Sequence, residues 1–423
     1  MTPTRSGRAP VTPLHGERDM LPNRARMDDA GSSPPRIPRG VWALGFVSLF
    51  MDTSSELVHS LLPVFLVSAL GASMTSVGLI EGLAEAVALI IKIFSGTLSD
   101  YLGRRKVLTV FGYGLGGVAK PLFALAGSVA LILVARFVDR IGKGIRGAPR
   151  DALVADLSPP QLRGASFGLR QSLDTIGAFA GPVIAIIAMT LMVDDVRGVF
   201  WIAVIPALLS LGILLAFVHE PDRPPDGKPA RLPLRPAMIK TLSSAYWAVV
   251  TVGAVLALAR FSEAFLVLRA SGAGLPITFV PVVLIVMNIA YAAAAYPAGV
   301  WSDRAGRRVV LLAGVAVLVL ADVVLAVAST IWLVMLGVAF WGLHMGLTQG
   351  ILASLVSDHA PVALRGTAFG VFNLVSGLAM LAASVFAGFL WDRFGPLGTF
   401  TAGAVFSLIS LVGLAAIGRT AEN

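Results

Sequence analysis

Twelve long apolar stretches constrain the fold of this chain more than any other feature of its sequence. They predict helices near residues 41 to 70, 75 to 98, 107 to 126, 129 to 156, 164 to 190 and 198 to 218, and then near 243 to 268, 276 to 300, 308 to 328, 330 to 355, 365 to 391 and 395 to 418. About 20 apolar residues of helix cross the hydrocarbon core of a bilayer, so each stretch is long enough to span one. Only 13% of the 423 residues are charged, and mean hydropathy is +0.83. An ordinary soluble domain carries roughly 25% charged residues, which excludes a soluble enzyme. The chain has no cysteine, so a disulfide framework, a thiolate zinc site and a cysteine-ligated cluster are all excluded. Its five histidines are scattered without metal-ligand spacing. No metal and no cofactor is expected.

The formal charge of +9 raises the question of a nucleic-acid partner, and the positions of the basic residues answer it. They follow topology instead. With the N-terminus cytoplasmic, the segments on that side hold Arg104, Arg105, Lys106, Arg163, Arg223, Lys228, Arg231, Arg235, Lys240, Arg304, Arg307, Arg308, Arg365 and Arg419, besides seven arginines before residue 40. The other side holds Arg197, Arg269 and Arg393. The positive-inside rule then places both termini in the cytoplasm of a multi-pass protein of the cell membrane, with lipid and no nucleic acid as its surroundings.

Residues 1 to 40 are rich in Pro, Arg, Asp and Ser and are expected to form a disordered cytoplasmic tail. A secretory signal is not expected, because the first apolar stretch is too long and no small-residue cleavage site follows it. Residues 219 to 242 are the one long polar break inside the chain and read as a cytoplasmic linker. It separates a six-helix bundle over 41 to 218 from a second over 243 to 418, leaving a short tail at 419 to 423. The two bundles repeat one another. Gly96, Asp100, Gly103, Arg104 and Arg105 spell GxxxDxxGRR, and Gly299, Asp303, Gly306, Arg307 and Arg308 spell it again 203 residues later. ALVADLSPPQLRGASFG, with Asp156, Arg163 and Gly164, matches SLVSDHAPVALRGTAFG, with Asp358, Arg365 and Gly366, at an offset of 202. Two matches in one register mark an internal duplication.

Twelve spans in two parallel halves, each with GxxxDxxGRR after its second span, resemble the major facilitator superfamily of secondary transporters. The resemblance covers residues 40 to 418. It implies an all-α integral membrane protein, two pseudo-symmetric six-helix bundles that rock about a central site, and a monomer as the working unit. It does not name the substrate. The family reading of the repeated motif is a cytoplasmic latch holding one conformation. Asp100 with Arg163 and Asp303 with Arg365 are its expected members, and the glycines are expected to allow close helix approach. Arg104, Arg105, Arg307 and Arg308 serve equally as positive-inside anchors. Tyr101 replaces the basic residue usual after the first Asp, whereas Arg304 keeps it in the second copy, so the first latch is expected to be weaker.

Charges within the spans are costly in lipid and belong against protein or a water-filled cavity. Asp52, Glu56 and His59 fall within roughly 60° of one another on the first helix at about 100° per residue. Glu81, Glu85 and Lys92 share a face of the second. On the fourth, Arg136, Asp139, Arg140, Lys143, Arg146, Arg150 and Asp151 occupy an arc of roughly 140° by the same arithmetic. A polar cavity and a packed seam of ion pairs both explain this segregation. The fourth helix also resembles the family's proton-coupling motif RxxxGxxxA through Arg140, Gly144 and Ala148, although Lys143 and Arg146 stand where glutamine and a small residue are usual. The resemblance implies that Arg140 couples proton movement to the cycle, with Glu56 and Asp52 as first candidates for the proton carrier and Glu81 and Glu85 next. A carboxyl group beside a switchable arginine changes its proton affinity as that partner comes and goes. The alternative for each acid is a permanent structural ion pair.

The fifth helix carries Gly177, Gly181 and Pro182 in GAFAGP, which resembles the core of the antiporter motif GxxxGP and implies export. Close helix packing through GxxxG is the plainer reading. Arg170 and Asp174, four apart on that helix, are candidates for an ion pair or for the cavity wall. The second half contributes Arg260, Glu263, Asn288, Tyr291, His344, Thr348 and Gln349. Trp341, His344 and Thr348 share a face, so His344 and Thr348 are candidates for substrate contact or for buried packing. Met287 and Met345 read as filler rather than metal ligands. The cavity candidates His59, Arg136, Lys143, Arg146, Arg170, Asp174, Arg260, Glu263, Asn288, His344 and Thr348 together favour a small anionic or zwitterionic solute, moved by a proton-coupled exporter. The alternatives are a broad multidrug efflux pump, which calls for an apolar, aromatic cavity around one or two acids, and a non-transporting receptor or embedded enzyme. No nucleophile with its base, phosphate loop or metal constellation supports catalysis.

Overall fold

The computed structural model describes residues 36–220, 241–361 and 364–420, apart from the side chains of Asp100 and residues 416–420. Most of the expected tail and linker therefore lies outside the described residues. The described residues from Ile37 onwards belong to one compact unit and contain helices and connecting turns without a strand.

In the first half, α1 (Arg39–Val64) runs on through a π-helical turn, Phe65–Ala69, into α2 (Met74–Leu102), α3 (Arg105–Leu125), α4 (Val129–Leu157) and α5 (Arg163–Leu191). The sixth span is two pieces, α6 (Val196–Ile202) and α7 (Val204–Phe217), which meet at Ala203. In the second half the seventh span is also broken, into α8 (Ser244–Ala259) and α9 (Ala264–Gly272). It leads to α10 (Val282–Ala305), α11 (Arg307–Val327), α12 (Ile331–His359) and α13 (Arg365–Thr420). The sequence supplies the helix starts. Ser73, Ser128, Asp195, Ser243 and Thr330 each accept a hydrogen bond from a backbone N–H three residues on, which satisfies a donor left over at a helix N-terminus.

Nine of the described helical stretches are long and apolar enough to cross a bilayer. The charged α2 and α4 fall outside that number, each being 29 residues long. The last stretch, α13, has 56 residues, and Gly395 takes φ 68° and ψ −168° inside it. At 1.5 Å per residue an unbroken helix of that length would run about 84 Å, so the break divides α13 into two crossings and brings the total to twelve.

The two halves use the repeated motif in the same way at its turn. Gly103 ends α2 at φ 63° and Gly306 ends α10 at φ 88°, backbone that a side chain on Cβ disfavours. The first glycines of the motif differ. Gly96 lies against Ala148 of α4, but Gly299 has open space where a Cβ would stand, so the expected close approach holds for the first copy alone.

Within each half, neighbouring helices pack lengthwise: α1 on α5, α3 and α2 on α4, then α10 and α11 on α12 and α8 on α13. The halves meet where α2 packs on α13 and α5 on α10. The face carrying the Gly103 and Gly306 turns is here named the loop side, and the opposite face the far side. Among the described residues, the hydrogen bonds that cross between the halves lie at the far side. Asp392 accepts hydrogen bonds from Met74 N, Thr75 N and Thr75 Oγ1 at the start of α2, at 2.9, 2.9 and 2.6 Å, while Thr278 Oγ1 donates to Asp194. On the loop side, Arg105 pairs with Asp156 at 2.5 Å and Arg307 pairs with Asp358, each within its own half. The expected pairing of Asp303 with Arg365 is not made among the described residues. Asp358 takes Arg307 instead, and Arg365 is exposed. Arg163 is exposed as well, and its expected partner Asp100 has no described side chain. The observed pairs join carboxylates at equivalent positions of the duplication, Asp156 and Asp358.

GAFAGP lies where α5 crosses α1. A Cβ on Gly181 would stand 2.7 Å from Thr53 O, 2.8 Å from Leu57 N and 2.9 Å from Glu56 Cβ, so the motif sets the spacing of these helices. Gly181→Ala is expected to destabilise the protein by about 1–3 kcal/mol through overpacking. Gly299→Ala, on an open helix face, is expected to be neutral or stabilising by up to about 1 kcal/mol. Thermal unfolding in detergent reads the contrast.

Candidate functional site

The candidate site is a cavity of about 640 Å³ lined by Glu56, His59, Glu81, Glu85, Arg140 and Lys143 from the first half and by Arg260, Phe261, Ser262, Glu263 and Met380 from the second. It exists because a helix is interrupted. The sequence pattern predicts one continuous seventh span, but the chain leaves helical geometry from Arg260 to Glu263. Irregular backbone at membrane depth persists only where protein or a cavity satisfies it. Here Ser384 Oγ accepts from Ser262 N at 3.1 Å, and Ser262 Oγ accepts from Ala264 N at 3.2 Å. Below the break, Phe261 packs on Trp341 and Phe400 with ring centroids 5.3 and 5.5 Å apart. Phe265 packs on Trp391 at 5.7 Å. These rings form an aromatic floor towards the far side.

Most of the charges on α1, α2 and α4 are committed to one another. Arg136 donates to Glu81 at 2.6 Å, both almost fully buried. His59 stands between Glu56 and Glu81, 3.4 Å from the first and 3.6 Å from the second. Arg140 lies 3.2 Å from Glu85 and 3.9 Å from Asp139. Lys120 of α3 donates to Asp139 at 2.8 Å and to Ser55 at 3.0 Å. Towards the loop side, Arg150 lies 3.1 Å from Asp151 and 3.8 Å from Asp174, and Arg170 bridges the same two acids at 3.8 and 3.5 Å. The seam and the cavity anticipated as alternatives therefore coexist. Lys143 and Arg260 differ from the other basic residues at the cavity. They face it from opposite halves, and among the described residues neither has a carboxylate within ion-pair distance.

The remaining sequence candidates are distributed around this centre. Arg136 is buried beneath the cavity wall rather than lining it, Arg146 is buried with its guanidinium over the Tyr113 ring at 4.8 Å, and Lys92 is exposed. Asp52, Asp174 and Asn288 line a separate space between α5 and α10. His344 and Thr348 are fully buried. His344 Nδ1 pairs with Gly314 O at 2.9 Å, and Thr348 Oγ1 donates to His344 O, which places both in the packing of α11 on α12. An adjoining space of about 1,040 Å³, lined chiefly by Leu89, Leu256, Phe369, Phe372 and Met380 with Gln349 and Asn373, continues from Glu85 and Arg260 towards the loop side.

The amino-acid sequence matches the Major Facilitator Superfamily over residues 44–286 and 264–422. The chain belongs to that family. It is 33% identical over 380 residues to an uncharacterized MFS-type transporter of Methanocaldococcus jannaschii, covering 88% of this chain and 94% of the relative. It is 24% identical over 385 residues to the inner membrane transport protein YajR of Escherichia coli, covering 88% and 82%. Its fold is similar to the crystal structure of the nucleoside transporter NupG, with a TM-score of 0.72 at 14% identity, covering 91% of this chain and all of that one. This family member is a multi-pass membrane transporter and not an enzyme.

Sequence reasoning passed over Lys120, Asp322 and Ser262. Asp322 is fully buried in α11, where Ser407 Oγ donates to it at 3.3 Å. The signal for Lys120 and Asp322 was present, since each is an ionisable residue inside an apolar run. Ser262 carried none. Removing one member of a buried ion pair costs about 3–5 kcal/mol, whereas replacing both with apolar residues is often neutral. Arg136→Met is therefore expected to destabilise the protein by that amount, and Arg136→Met with Glu81→Leu to recover most of it. Equilibrium unfolding of the single and double variants measures the difference.

Proposed function

We propose that this transporter exports a small anionic or zwitterionic solute across the cell membrane in exchange for protons, by alternating access, as a monomer whose loop side and termini are cytoplasmic. The observation that carries the reading is the pair of uncommitted cations, Lys143 on one half and Arg260 on the other. An anionic group between them gains two attractive contacts and draws the halves together. The glutamates around them suit the amino end of a zwitterion. Asp52, Glu56, Glu81 and Glu85 are the proton-carrying candidates, and Arg140, bound to Glu85, is the switchable partner. Export follows from the resemblance of Gly177, Gly181 and Pro182 to the antiporter motif, and sidedness from the basic residues of the loop side. The apolar space beside the cavity favours a second reading, multidrug efflux.

Uptake into everted membrane vesicles with an acidified lumen separates the readings. Organic anions and zwitterions are expected to accumulate, and a protonophore to abolish the accumulation. Loss of a charge contact worth about 1.4 kcal/mol changes affinity tenfold, so Arg260→Ala and Lys143→Ala are each expected to raise KM at least about tenfold. Accumulation of lipophilic cations alone would move the assignment to multidrug efflux. Uptake indifferent to the protonophore would remove proton coupling.

A further inference from the structure

We propose that the solute of this transporter is a single-chain amphiphile, its anionic head held between Lys143 and Arg260 and its apolar tail lying in the adjoining space towards the loop side. The proposal rests on the anionic reading of the cavity and supplies the other end of the molecule. The two spaces are continuous, because Glu85, Arg260 and Met380 line both. Their walls differ in kind across that junction. The polar cavity is faced by charged residues of α1, α2, α4 and the break in the seventh span. Beyond the junction the described wall carries no further charge, and Leu89, Leu256, Leu352, Phe369 and Phe372 form much of it.

The same order runs along α2, α8 and α13. Glu85, Arg260 and Met380 stand at the junction. One turn nearer the loop side come Leu89, Leu256 and Ser376, and further along α8 and α13 come Gly253, Phe372 and Phe369. From Met380 to Phe369, α13 runs about 16 Å at 1.5 Å per residue, so the apolar space is long as well as wide. Gly253 lets its wall form. A Cβ there would stand 2.5 Å from Phe372 Cε2, which seats the ring directly on the backbone of α8.

A solute that filled the polar cavity alone would leave the leucine and phenylalanine walls in water. A contiguous apolar surface rimmed by polar groups marks a ligand groove, and a site of this kind uses its few polar groups to fix the orientation of the ligand. The charge of the head follows from what is left unpaired. Glu56, Glu81 and Glu85 already face His59, Arg136 and Arg140, whereas Lys143 and Arg260 have no carboxylate at ion-pair distance among the described residues. Glu263 lines the cavity too and suits an ammonium group carried beside the anion. The halves therefore divide the ligand. Lys143 of the first half binds the head with Arg260, and the tail space belongs to the second half except at Glu85 and Leu89.

The test uses the full chain in lipid nanodiscs and n-alkyl phosphates from ethyl to decyl. Binding is measured by equilibrium dialysis, with the share taken up by protein-free nanodiscs subtracted. Each methylene that leaves water for an apolar site strengthens binding about fourfold, so affinity is expected to climb by about that factor per methylene as the tail space fills. Ala353 is exposed and lines that space, and Ala353→Phe is expected to end the climb at a shorter chain. Lys143→Ala is expected instead to weaken the whole series by a common factor and to keep the climb. Trimethylammonium amphiphiles of matched length are expected to bind weakly. Affinity that is level from ethyl to decyl phosphate, or a climb that Ala353→Phe leaves unchanged, would overturn the amphiphile and leave the anionic reading standing. Trimethylammonium amphiphiles that bind more tightly than the phosphates, or a protein that binds no alkyl phosphate of any length, would remove both.

Discussion

The high cost of an unpaired charge inside a bilayer organises this molecule. Glu81 and Arg136, Asp139 and Lys120, and Glu85 and Arg140 are ionic pairs on α2, α3 and α4 that lipid would not tolerate singly. Pairing them orients three helices of the first half towards one another and leaves other charges without an ionic partner among the described residues. Lys143 and Arg260 are left over in this sense. The cavity is the complement of the ion-pair network, enclosed by the same helices that the network holds.

The two halves are duplicates in sequence but not in use. Both keep the glycine turn after the second span, and both place an aspartate of the repeat against an arginine of the loop motif. The charged seam belongs to the first half. The second half offers a broken helix, an aromatic floor and apolar walls, with Arg260 and Glu263 presented at the break. Closure at the far side joins them, because Asp392 satisfies backbone N–H groups at the start of α2 across the interface. A carboxylate at a helix N-terminus also meets the favourable end of the helix dipole.

The twelve crossings were legible in the sequence because each needs a long apolar run, and the duplication because its motifs recur in one register. The charged faces of α1, α2 and α4 were legible too, since helical geometry converts spacing into angle. Partners were not. Nothing in the spacing of Asp139 points to Lys120, nineteen residues earlier on a different helix, and Glu81 finds Arg136 only through packing. The latch pairing of Asp303 with Arg365 is not made among the described residues, where Arg307 of the loop motif pairs with Asp358 of α12. His344 and Thr348 share a helical face with Trp341, and that face packs against α11 at Gly314. The break at Arg260 to Glu263 was hidden by an apolar pattern that a continuous helix satisfies equally well.

The central claim is that the first half holds one lysine in a dry ion pair and presents another to the cavity without an ionic partner among the described residues. Lys120 is 1% exposed and bound to Asp139 and Ser55, whereas Lys143 faces the cavity. Acylation of the folded, membrane-embedded protein with a water-soluble amine reagent, followed by mass spectrometry, measures both in one sample. Lys143 is expected to be modified and Lys120 to remain unmodified until the protein unfolds. Equal modification of the two lysines, or a Lys143 as inert as Lys120, would contradict the account.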